Sequence, residues 1–541
     1  MFRPTAVTGS RRGFLGALAL SGLAVAGGGL LAGCDAGPGA TPLGTEKLTL
    51  PTYVPNATVK PDLPAIDPTG VSGYLKYPSE RFATVTDKPL TSGKKITAIL
   101  PISSQPPVAR DKNAVWKNAE EQLGGEVELI LITESDYRQR FNTTIAGGDL
   151  PDLVFFQPIA GYDQLLATTF TDLTPYLAGD AIKAYPNLAA IPAAIWEAAA
   201  KGGRLYGVPI PRNGMQGLGN YHSQMFEAEG GYPTSMDEYV SLLKALTNPS
   251  KRRWGMVAHA SGGYNLSQFL QLLGAPFNWR QESDGTLTNV VETPEYAEAV
   301  ELVAKLFADG IFHPDTGAPN AKVKALFGRG EAAVNGDTVT ALLGAVRDMT
   351  AIDSSFKPAA LTPFSGSKGV AWMDFLTKQM TCIRQADKER VEELLRFLNY
   401  LAAPLGSDED LVLSYGKEGE TFDFTDGVPQ VRKEFESHAA IPWGAITTGP
   451  MTFFDDRLPA TVAPRYEGTK ALAPFLVKDP CAGAYSATDA EKGATLKQQM
   501  ADVANDIISG RRPLSELAPA IDKWRADGGD QMREEYAAAI A

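Results

Sequence analysis

The sequence predicts an α/β fold in two lobes, and two features support this prediction. The first is an alternation of elements, with strands at 95–100, 127–132 and 153–156 and helices at 113–123 and 136–146. Strands and helices in this order indicate a parallel sheet with crossover helices. The second is length, because roughly 450 residues follow a proline-rich region near the amino terminus, which is too many for one hydrophobic core.

Each of these elements has a local signal. The strands are short apolar runs, and the two helices end at the glycine pairs 124–125 and 147–148, since glycine readily adopts the backbone conformation that terminates a helix. In parallel sheets of this kind, ligands bind in the crevice beyond the carboxyl ends of the strands. Gln157 comes directly after the third strand. We therefore expect Gln157 to face a ligand-binding crevice.

Two further helix starts are predicted by capping boxes, in which a hydroxyl residue is followed three positions later by glutamate. Ser235 with Glu238 precedes apolar residues at helical spacing, and Thr488 with Glu491 precedes a second such series. Both helices are expected to contribute apolar faces to the core.

The first 33 residues are predicted to be an export signal. Residues 10–15 carry a twin-arginine motif, and an apolar stretch from 14 to 31 follows. Residues 31–34, Leu-Ala-Gly-Cys, resemble the lipobox of bacterial lipoproteins, in which Cys34 is lipidated and becomes the new amino terminus. The alternative is a transmembrane anchor, for which the glycine-rich run is marginal in length. We expect a protein attached by lipid to the extracellular face of the cell membrane.

Residues 34–93 are predicted to form a stalk. Nine prolines fall in this segment, and proline cannot donate to regular backbone ladders. An alternative for residues 73–77 is that they pack on the surface of the globular body.

Composition excludes some classes of ligand. The net charge is −13, and it becomes more negative when the three arginines of the export signal are removed, so neither nucleic acid nor an anionic membrane surface is expected as ligand. The four histidines are scattered without metal-ligand spacing, and we expect no metal and no cofactor. Cys382 and Cys481 form either a disulfide or two free thiols, and the spacing does not decide between them.

Six phrases identify a family resemblance. They occupy residues 141–152 (ending in Gly-Asp-Leu-Pro-Asp), 172–177, 185–187, 205–209, 415–419 (Tyr-Gly-Lys-Glu-Gly) and 528–536. In this order they resemble the extracellular solute-binding protein family 1, and within it the long lipoprotein subgroup that includes alginate-type oligosaccharide binders. The resemblance covers roughly residue 94 to the end.

This resemblance implies a periplasmic-binding-protein-like (type II) clamshell, with hinge strands between two lobes and the ligand enclosed between them. We expect residues 94–212 and 364–386 in lobe 1, and residues 213–363 and 387–541 in lobe 2. The expected crossings lie at 209–213, at 361–364 and after Lys378. A ligand that contacts both lobes only on closure shifts the population towards the closed form.

The sequence departs from the family pattern at two places. Many subgroup members carry a calcium loop where this chain has residues 247–253, which lack the carboxylate oxygens that calcium requires. The usual Arg-Lys-Asp-Trp phrase is replaced by Tyr-His-Ser-Gln at 221–224. Neither a calcium ion nor the usual ligand set at 221–224 is therefore expected.

Sugars stack on aromatic rings, so tryptophans in predicted loops are candidate ligand contacts. These candidates are Trp254, Trp279, Trp372 and Trp443, and for each the alternative is packing in the core.

Polar candidates for hydrogen bonds to sugar hydroxyls are Asn213 at the expected hinge, Asn335 and Asp337 after an apolar run, Asp374 beside Trp372, and Tyr415 and Glu418 in the phrase at 415–419. Glu418 could instead cap or pair locally. A charged ligand would favour Arg212 or Arg329 as a bidentate partner, and the sequence does not decide between them.

The predicted function is solute capture for an ABC importer, with a carbohydrate as the solute, permease subunits as partners, and a monomeric protein that is not an enzyme. No catalytic motif occurs in a fitting context. One alternative is a surface receptor or sensor lipoprotein without an importer. Another is a surface polysaccharide-active enzyme, for which adjacent acidic residues at 408–410 and 455–456 are candidates.

Overall fold

The computed structural model describes residues 48–540, except residues 57, 103–104, 160–161, 213, 216, 342–345, 347–356 and 374–378. The strands are β1 Leu63–Ile66, β2 Val71–Gly73, β3 Ile96–Ile102, β4 Val127–Thr133, β5 Leu153–Phe155, β6 Gly207–Pro209, β7 Asn220–His222, β8 Trp254–Val257, β9 Trp279–Gln281, β10 Leu287–Asn289, β11 Ala332–Asn335, β12 Pro358–Ala360, β13 Ala371–Trp372, β14 Met380–Ile383, β15 Phe422–Thr425, β16 Val428–Val431, β17 Thr452–Phe453 and β18 Leu476–Val477. The α-helices are α1 Ala114–Leu123, α2 Glu134–Gly147, α3 Tyr162–Thr169, α4 Thr174–Leu177, α5 Pro186–Ala189, α6 Ala193–Ala199, α7 Ser223–Ala228, α8 Met236–Leu246, α9 Leu266–Leu273, α10 Pro294–Ala308, α11 Asn320–Gly328, α12 Lys388–Leu401, α13 Asp408–Tyr415, α14 Val462–Leu472, α15 Ala494–Ile508, α16 Leu517–Trp524 and α17 Asp530–Ile540.

The first lobe is built on a five-stranded sheet in the order β4-β3-β5-β14-β6. Strand β3 pairs in parallel with both β4 and β5, and this confirms the predicted strand–helix–strand–helix–strand unit. Strand β14 runs antiparallel between β5 and β6. The carboxyl ends of β3 and β5 therefore meet at one edge of the sheet, where α/β proteins bind ligands.

Helix α1 shows why the local signals were reliable. The side chain of Asn113 accepts a hydrogen bond from the Trp116 amide (2.9 Å), which satisfies one of the free donors of the first turn. Gly124 ends the helix with a φ of 81°, in the left-handed region that glycine tolerates. Between these caps, Val115, Ala119 and Leu123 are fully buried against the sheet.

The second lobe contains a four-stranded sheet in the order β12-β7-β11-β8. Strand β11 pairs in parallel with β8, and β7 runs antiparallel to both β11 and β12. Helices α8, α9, α10 and α15 contribute apolar faces to the same core, in which Tyr239 and Phe269 are fully buried. Two lobes with mixed α and β structure thus follow the predicted fold class.

The division of the chain between the lobes differs from the prediction at two places. Residues 391–446, expected in the second lobe, bury Leu394, Phe397 and Trp443 in the same core as β3. Residues 364–372, expected in the first lobe, bury Phe364 and Trp372 in the core of the second lobe. An amphipathic pattern shows that a segment has an apolar face but not which core covers that face, so the sequence could not assign these segments.

The segments that cross between the lobes also differ in part from those that the sequence predicted. One crossing lies between Pro209 in β6 and Met215 in the core of the second lobe. Another lies between Trp372, buried in the second-lobe core, and Met373, buried in the first-lobe core, so it comes earlier than the crossing expected after Lys378. The crossing expected at 361–364 is wrong, because Leu361 and Phe364 are both buried in the second lobe.

A further crossing runs through residues 447–472 and includes α14, which the sequence analysis did not anticipate. Helix α14 packs with β1, β2 and β17 in a small core of its own that contains Ile66, Val71 and Tyr466.

The predicted stalk is wrong for residues 48–93, which pack on the body. Strand β2 pairs in parallel with β17, Tyr77 is buried against α13, and Leu90 is buried in the first-lobe core. The partners of this segment lie far away in the chain, so its proline content alone suggested an isolated extended region. The alternative, in which residues 73–77 pack on the body, is confirmed. The export signal and Cys34 lie outside the described residues.

Of the two predicted capping boxes, the one at Ser235 is confirmed as a helix start and the one at Thr488 is wrong. The Ser235 side chain accepts a hydrogen bond from the Glu238 amide (3.2 Å), while the Glu238 carboxylate accepts one from the neighbouring Thr234 amide (2.8 Å), so a capped helix start is confirmed. The box at Thr488 is wrong, because the Thr488 hydroxyl donates to Glu535 (2.9 Å) on α17 and a π-turn, Asp489–Gly493, precedes α15. Cys382 and Cys481 are free and buried in different lobes.

Candidate functional site

A cavity of about 280 Å³ lies between the two lobes. Its first-lobe wall is formed by the segment after β5, by α3 and α6, and by the turn after α6. These contribute Phe156, Pro158, Tyr162, Glu197 and Lys201. This is the edge of the sheet where the parallel strands end, as the sequence analysis predicted.

The second-lobe wall of this cavity is formed by Phe277, Asn278, Asp479, Asp489 and Tyr536. The side-chain amide of Asn278 donates a hydrogen bond to the Asp479 carboxylate (3.0 Å), and this bond holds both polar groups in place. The pKa of the Tyr536 phenol is raised by burial, and then by the neighbouring Asp489 carboxylate, with which it forms a hydrogen bond. The wall thus combines aromatic surface with fixed hydrogen-bonding groups.

A larger cavity of about 920 Å³ continues into the second lobe and shares that wall, because Phe277, Asn278, Asp479, Asp489 and Tyr536 line both cavities. The larger cavity is also lined by His259, Asp337 and Lys497. Burial lowers the pKa of His259, and the Asp337 carboxylate offsets part of this effect, so the imidazole is neutral at pH 7. Volumes of this size are typical of small-molecule sites.

Lys201 is the most unusual charged group at the interlobe cavity. Burial lowers the pKa of its ammonium group, and Asp489 in the opposite wall counteracts part of this effect. Within the described part of the chain, its side chain forms no ion pair or hydrogen bond. An ammonium group in this situation gains a partner when a ligand with hydrogen-bond acceptors enters.

Three of the predicted site residues line the larger cavity: Trp279, Trp372 and Asp337. The two tryptophans are not in exposed loops as expected, because they lie in β9 and β13 and each is 5% exposed. The Trp372 indole donates to the Ala275 carbonyl (2.8 Å), and its ring lies 5.5 Å from Phe277. Trp372 therefore supports Phe277, which lines both cavities.

Asp337 and Asn335 differ in their surroundings. The Asp337 carboxylate pairs with Lys324 (3.4 Å) and accepts a hydrogen bond from the Thr338 amide (2.8 Å). Asn335 ends β11, and its side-chain oxygen is buried without a partner among the described residues, but Asn335 does not line either cavity.

Gln157 lies between Phe156 and Pro158, which line the interlobe cavity, but does not line it itself. Its side-chain oxygen is buried and accepts no hydrogen bond within the described ranges. Asn213 and Asp374 lie outside the described residues.

The other predicted residues lie away from the cavities. Trp254 begins β8 and packs edge-on against His313, with ring centroids 4.4 Å apart. Trp443 is buried in the first-lobe core with its ring 5.7 Å from Trp116. For Trp443 the alternative of core packing is correct, whereas Trp254 is half-buried and belongs to neither main core. Each ring packs on a non-local partner that the sequence does not reveal.

Tyr415 and Glu418 are also distant from both cavities. Tyr415 is buried with Tyr77 and Phe422. Glu418 pairs with Arg81 (2.8 Å), which lies far away in the chain, so its partner is not the local one that the alternative expected. Of the two arginines considered for a charged ligand, Arg329 pairs with Glu331 (2.8 Å) and Arg212 lines neither cavity.

Most residues of the interlobe cavity could not be predicted from the sequence. Lys201 comes shortly before the phrase at 205–209, but that phrase leads into the amino end of β6 and did not indicate that Lys201 faces the cavity. Phe277, Asp479 and Asp489 carry no signal in the sequence, because they meet only when the second lobe folds. Tyr536 lies in the phrase at 528–536, which indicated the family but not a place in the cavity.

Two further findings concern ions and membranes. Within the described ranges, no group of three or more His, Cys, Asp or Glu side chains is arranged to hold a metal ion. No helix in the same part of the chain is long and apolar enough to cross a bilayer.

Comparison with known proteins identifies the family. The model of the bacterial extracellular solute-binding protein family matches residues 114–404, more than half of the chain. The polygalacturonan/rhamnogalacturonan-binding protein YtcQ of Bacillus subtilis is 25% identical over 81% of this chain and 89% of its own length. Lipoprotein LipO of the same organism is 23% identical over 82% of this chain and 92% of its own length.

A solved structure of the alginate-binding protein AlgQ2 without calcium has the same fold. It superposes with a TM-score of 0.60 at 15% identity, over 84% of this chain and 98% of its own. With a two-lobed fold, a cavity at the carboxyl edge of the first-lobe sheet and a match over residues 114–404, this chain belongs to the bacterial extracellular solute-binding protein family.

Proposed function

We propose that this protein is the lipid-anchored binding component of an ABC importer and that its solute is an oligosaccharide. The interlobe cavity is the observation that carries the proposal. Both lobes contribute an aromatic surface to it, Tyr162 from one side and Phe277 from the other, and both contribute polar groups. Sugars offer apolar ring faces and hydroxyl groups together, so a cavity with both kinds of lining fits them.

The cavity that continues into the second lobe supports an oligosaccharide rather than a single sugar. Its lining includes Trp279, Tyr296 and Trp524 as well as polar groups, so it offers the same combination of surfaces beyond the first unit. The name of the relative YtcQ, which binds polygalacturonan and rhamnogalacturonan, is consistent with a saccharide chain.

A binding role without catalysis is part of the proposal. The acidic residues considered for an enzyme are engaged elsewhere: Asp408 pairs with Arg81 (3.1 Å), Glu409 accepts hydrogen bonds from the Thr84 and Val85 amides, and Asp455 accepts one from the Leu458 amide. None of them lines either cavity. Incubation with each bound saccharide, followed by chromatography, should return the saccharide unchanged.

Ligand binding is tested with the chain from residue 35 onward, by thermal shift and calorimetry against oligosaccharides of two to six units. At least one series should bind with a Kd in the micromolar range, which corresponds to about −8 kcal/mol. Small-angle scattering should then show a smaller radius of gyration with ligand than without it. Binding of peptides or metal chelates alone would contradict the proposal.

The lipid anchor is tested in the full chain by Cys34→Ala. The unaltered protein should sediment with membranes and incorporate labelled fatty acid, whereas the variant should do neither. Cys382→Ala is the matched control, because that thiol is buried in the first-lobe core. A Cys34→Ala variant that keeps its label would contradict anchoring at this residue.

A further inference from the structure

The two cavities contain more carboxylates than ammonium groups. Their described lining residues include four carboxylates, Glu197, Asp337, Asp479 and Asp489, against three lysines, Lys201, Lys478 and Lys497. Arginine, the side chain best suited to bidentate recognition of a ligand carboxylate, is absent from the described lining residues. The lining therefore does not complement a ligand that carries one negative charge on each unit.

Lys201 and Asp489 oppose each other across the interlobe cavity. Lys201 follows α6 of the first lobe, and Asp489 opens the π-turn that precedes α15 of the second lobe. Each lines the cavity, and Asp489 counteracts part of the lowering of the Lys201 pKa, but no direct ion pair joins them in the described part of the chain. The Asp489 carboxylate bonds to Tyr536 and keeps further lone pairs, so the space between the two residues suits a group that accepts from Lys201 and donates to Asp489.

A hydroxyl group meets this requirement and a carboxylate does not. A hydroxyl accepts a hydrogen bond from the Lys201 ammonium and donates one to the Asp489 carboxylate. An ionised carboxyl group could accept from Lys201, but it would be placed beside Asp489 and Asp479 with no proton to donate. Like charges in a partly desolvated cavity repel strongly.

We infer that the solute is an uncharged oligosaccharide and that one of its hydroxyl groups bridges Lys201 and Asp489 when the lobes close. The inference rests on the proposed function and narrows its substrate class. The bridging hydroxyl joins a residue of each lobe, so it contributes to affinity only in the closed form. This is the differential contact that shifts the population towards closure.

The charge of the solute is tested with two sets of probes. The neutral set contains gluco-, galacto-, manno- and xylo-oligosaccharides together with methyl-esterified oligogalacturonates, and the acidic set contains oligoalginates and the same oligogalacturonates without esters. The tightest binder should be neutral, and removing ester groups from a bound oligogalacturonate should weaken binding at least tenfold. Tighter binding of the acidic set would overturn the inference, whereas failure of every saccharide to bind would contradict the proposed function itself.

The bridge is tested with Lys201→Met and Asp489→Asn and the tightest neutral binder. Each substitution should raise Kd at least tenfold. In the double variant Kd should rise by less than the product of the two single increases, because both substitutions remove the same bridge. Lys183→Met is the matched control on the first lobe, since Lys183 pairs with the exposed Asp180 away from the cavity.

If Lys201 only stabilised the fold, Lys201→Met would affect Tm rather than Kd. Lys201→Met removes a desolvated ammonium group without a partner, so the Tm of the unliganded protein should stay the same or rise. A lower Tm with an unchanged Kd would overturn the assignment of Lys201 to the ligand.

Discussion

The phenol of Tyr485 in the second lobe donates a hydrogen bond to the carboxylate of Asp163 in the first lobe, with 2.6 Å between the oxygens. Asp163 lies in the first turn of α3, next to Tyr162 of the interlobe cavity. This contact joins side chains of the two lobes directly. We therefore expect it to favour a closed arrangement when no ligand is bound.

Tyr485→Phe should shift the unliganded protein towards the open form. A hydrogen bond to a charged group contributes about 1.5–3 kcal/mol, and its partial exposure places this one near the lower value. Because the apparent Kd rises as the competent population falls, we expect about tenfold weaker binding and a larger radius of gyration without ligand. Tyr74→Phe is the control, since its phenol bonds locally to the Val59 carbonyl (3.3 Å). An unchanged Kd in Tyr485→Phe would contradict a role in closure.

Trp443 and Phe277 should respond to substitution in opposite ways. Trp443→Ala removes a core side chain that packs on Trp116, and we expect a loss of about 3–5 kcal/mol in the free energy of unfolding with little change in Kd. Phe277→Ala removes the aromatic surface that lines both cavities, and we expect Kd to rise about tenfold or more. Denaturant unfolding and calorimetry measure the two effects. A large loss of affinity in stable Trp443→Ala protein would contradict its placement in the core.

Arg390 on α12 holds two buried carboxylates in the first lobe. Its guanidinium donates to Glu393 (2.6 Å) and Asp152 (2.9 Å), and also to the Lys95 carbonyl (2.8 Å). Arg390→Met leaves both carboxylates buried without this partner, so we expect a loss of about 3–5 kcal/mol in the free energy of unfolding. Arg432→Met breaks an exposed pair with Asp423 and is the control, for which we expect a far smaller effect.

Glu393 should make stability depend on pH in the acid range. Burial alone would raise its pKa, but hydrogen bonds from Ser92, Thr91 and Arg390 outweigh burial and lower the pKa to about 2 from its usual 4.5. Because the folded-state pKa lies below the unfolded value, this contribution to stability is complete above pH 4.5 and is lost as the pH falls towards 2. Glu393→Gln should be less stable at pH 7 and should show a shallower loss between those two pH values. Equal slopes for the two proteins would contradict this assignment.

Asp410 should have the opposite dependence over a higher range of pH. Burial raises its pKa to about 6 from the usual 3.8, although hydrogen bonds from Gly406, Ser414 and Tyr77 act against this rise. The folded state therefore binds a proton more tightly than the unfolded state, and this group adds stability as the pH falls from 6 towards 4. Asp410→Asn should remove that part of the profile in thermal unfolding measured across pH. A profile unchanged by the substitution would place the titration elsewhere.

Local patterns in the sequence were sufficient for the parallel half of the first-lobe sheet and for the family resemblance. Apolar runs, glycine stops such as Gly124 and the order of strands and helices act over a few residues, so a linear sequence displays them directly. The capped start of α8 at Ser235 belongs to the same class of signal.

Only the tertiary structure decided which segments meet. Strand β14 enters the first-lobe sheet between β5 and β6 from far along the chain, and α12 packs in that lobe rather than the second. The same holds for Lys201 and Asp489, which lie in different lobes and share a cavity only in the folded protein. The physical reason is that burial and charge pairing depend on three-dimensional neighbours, whereas propensity and capping depend on neighbours in the chain.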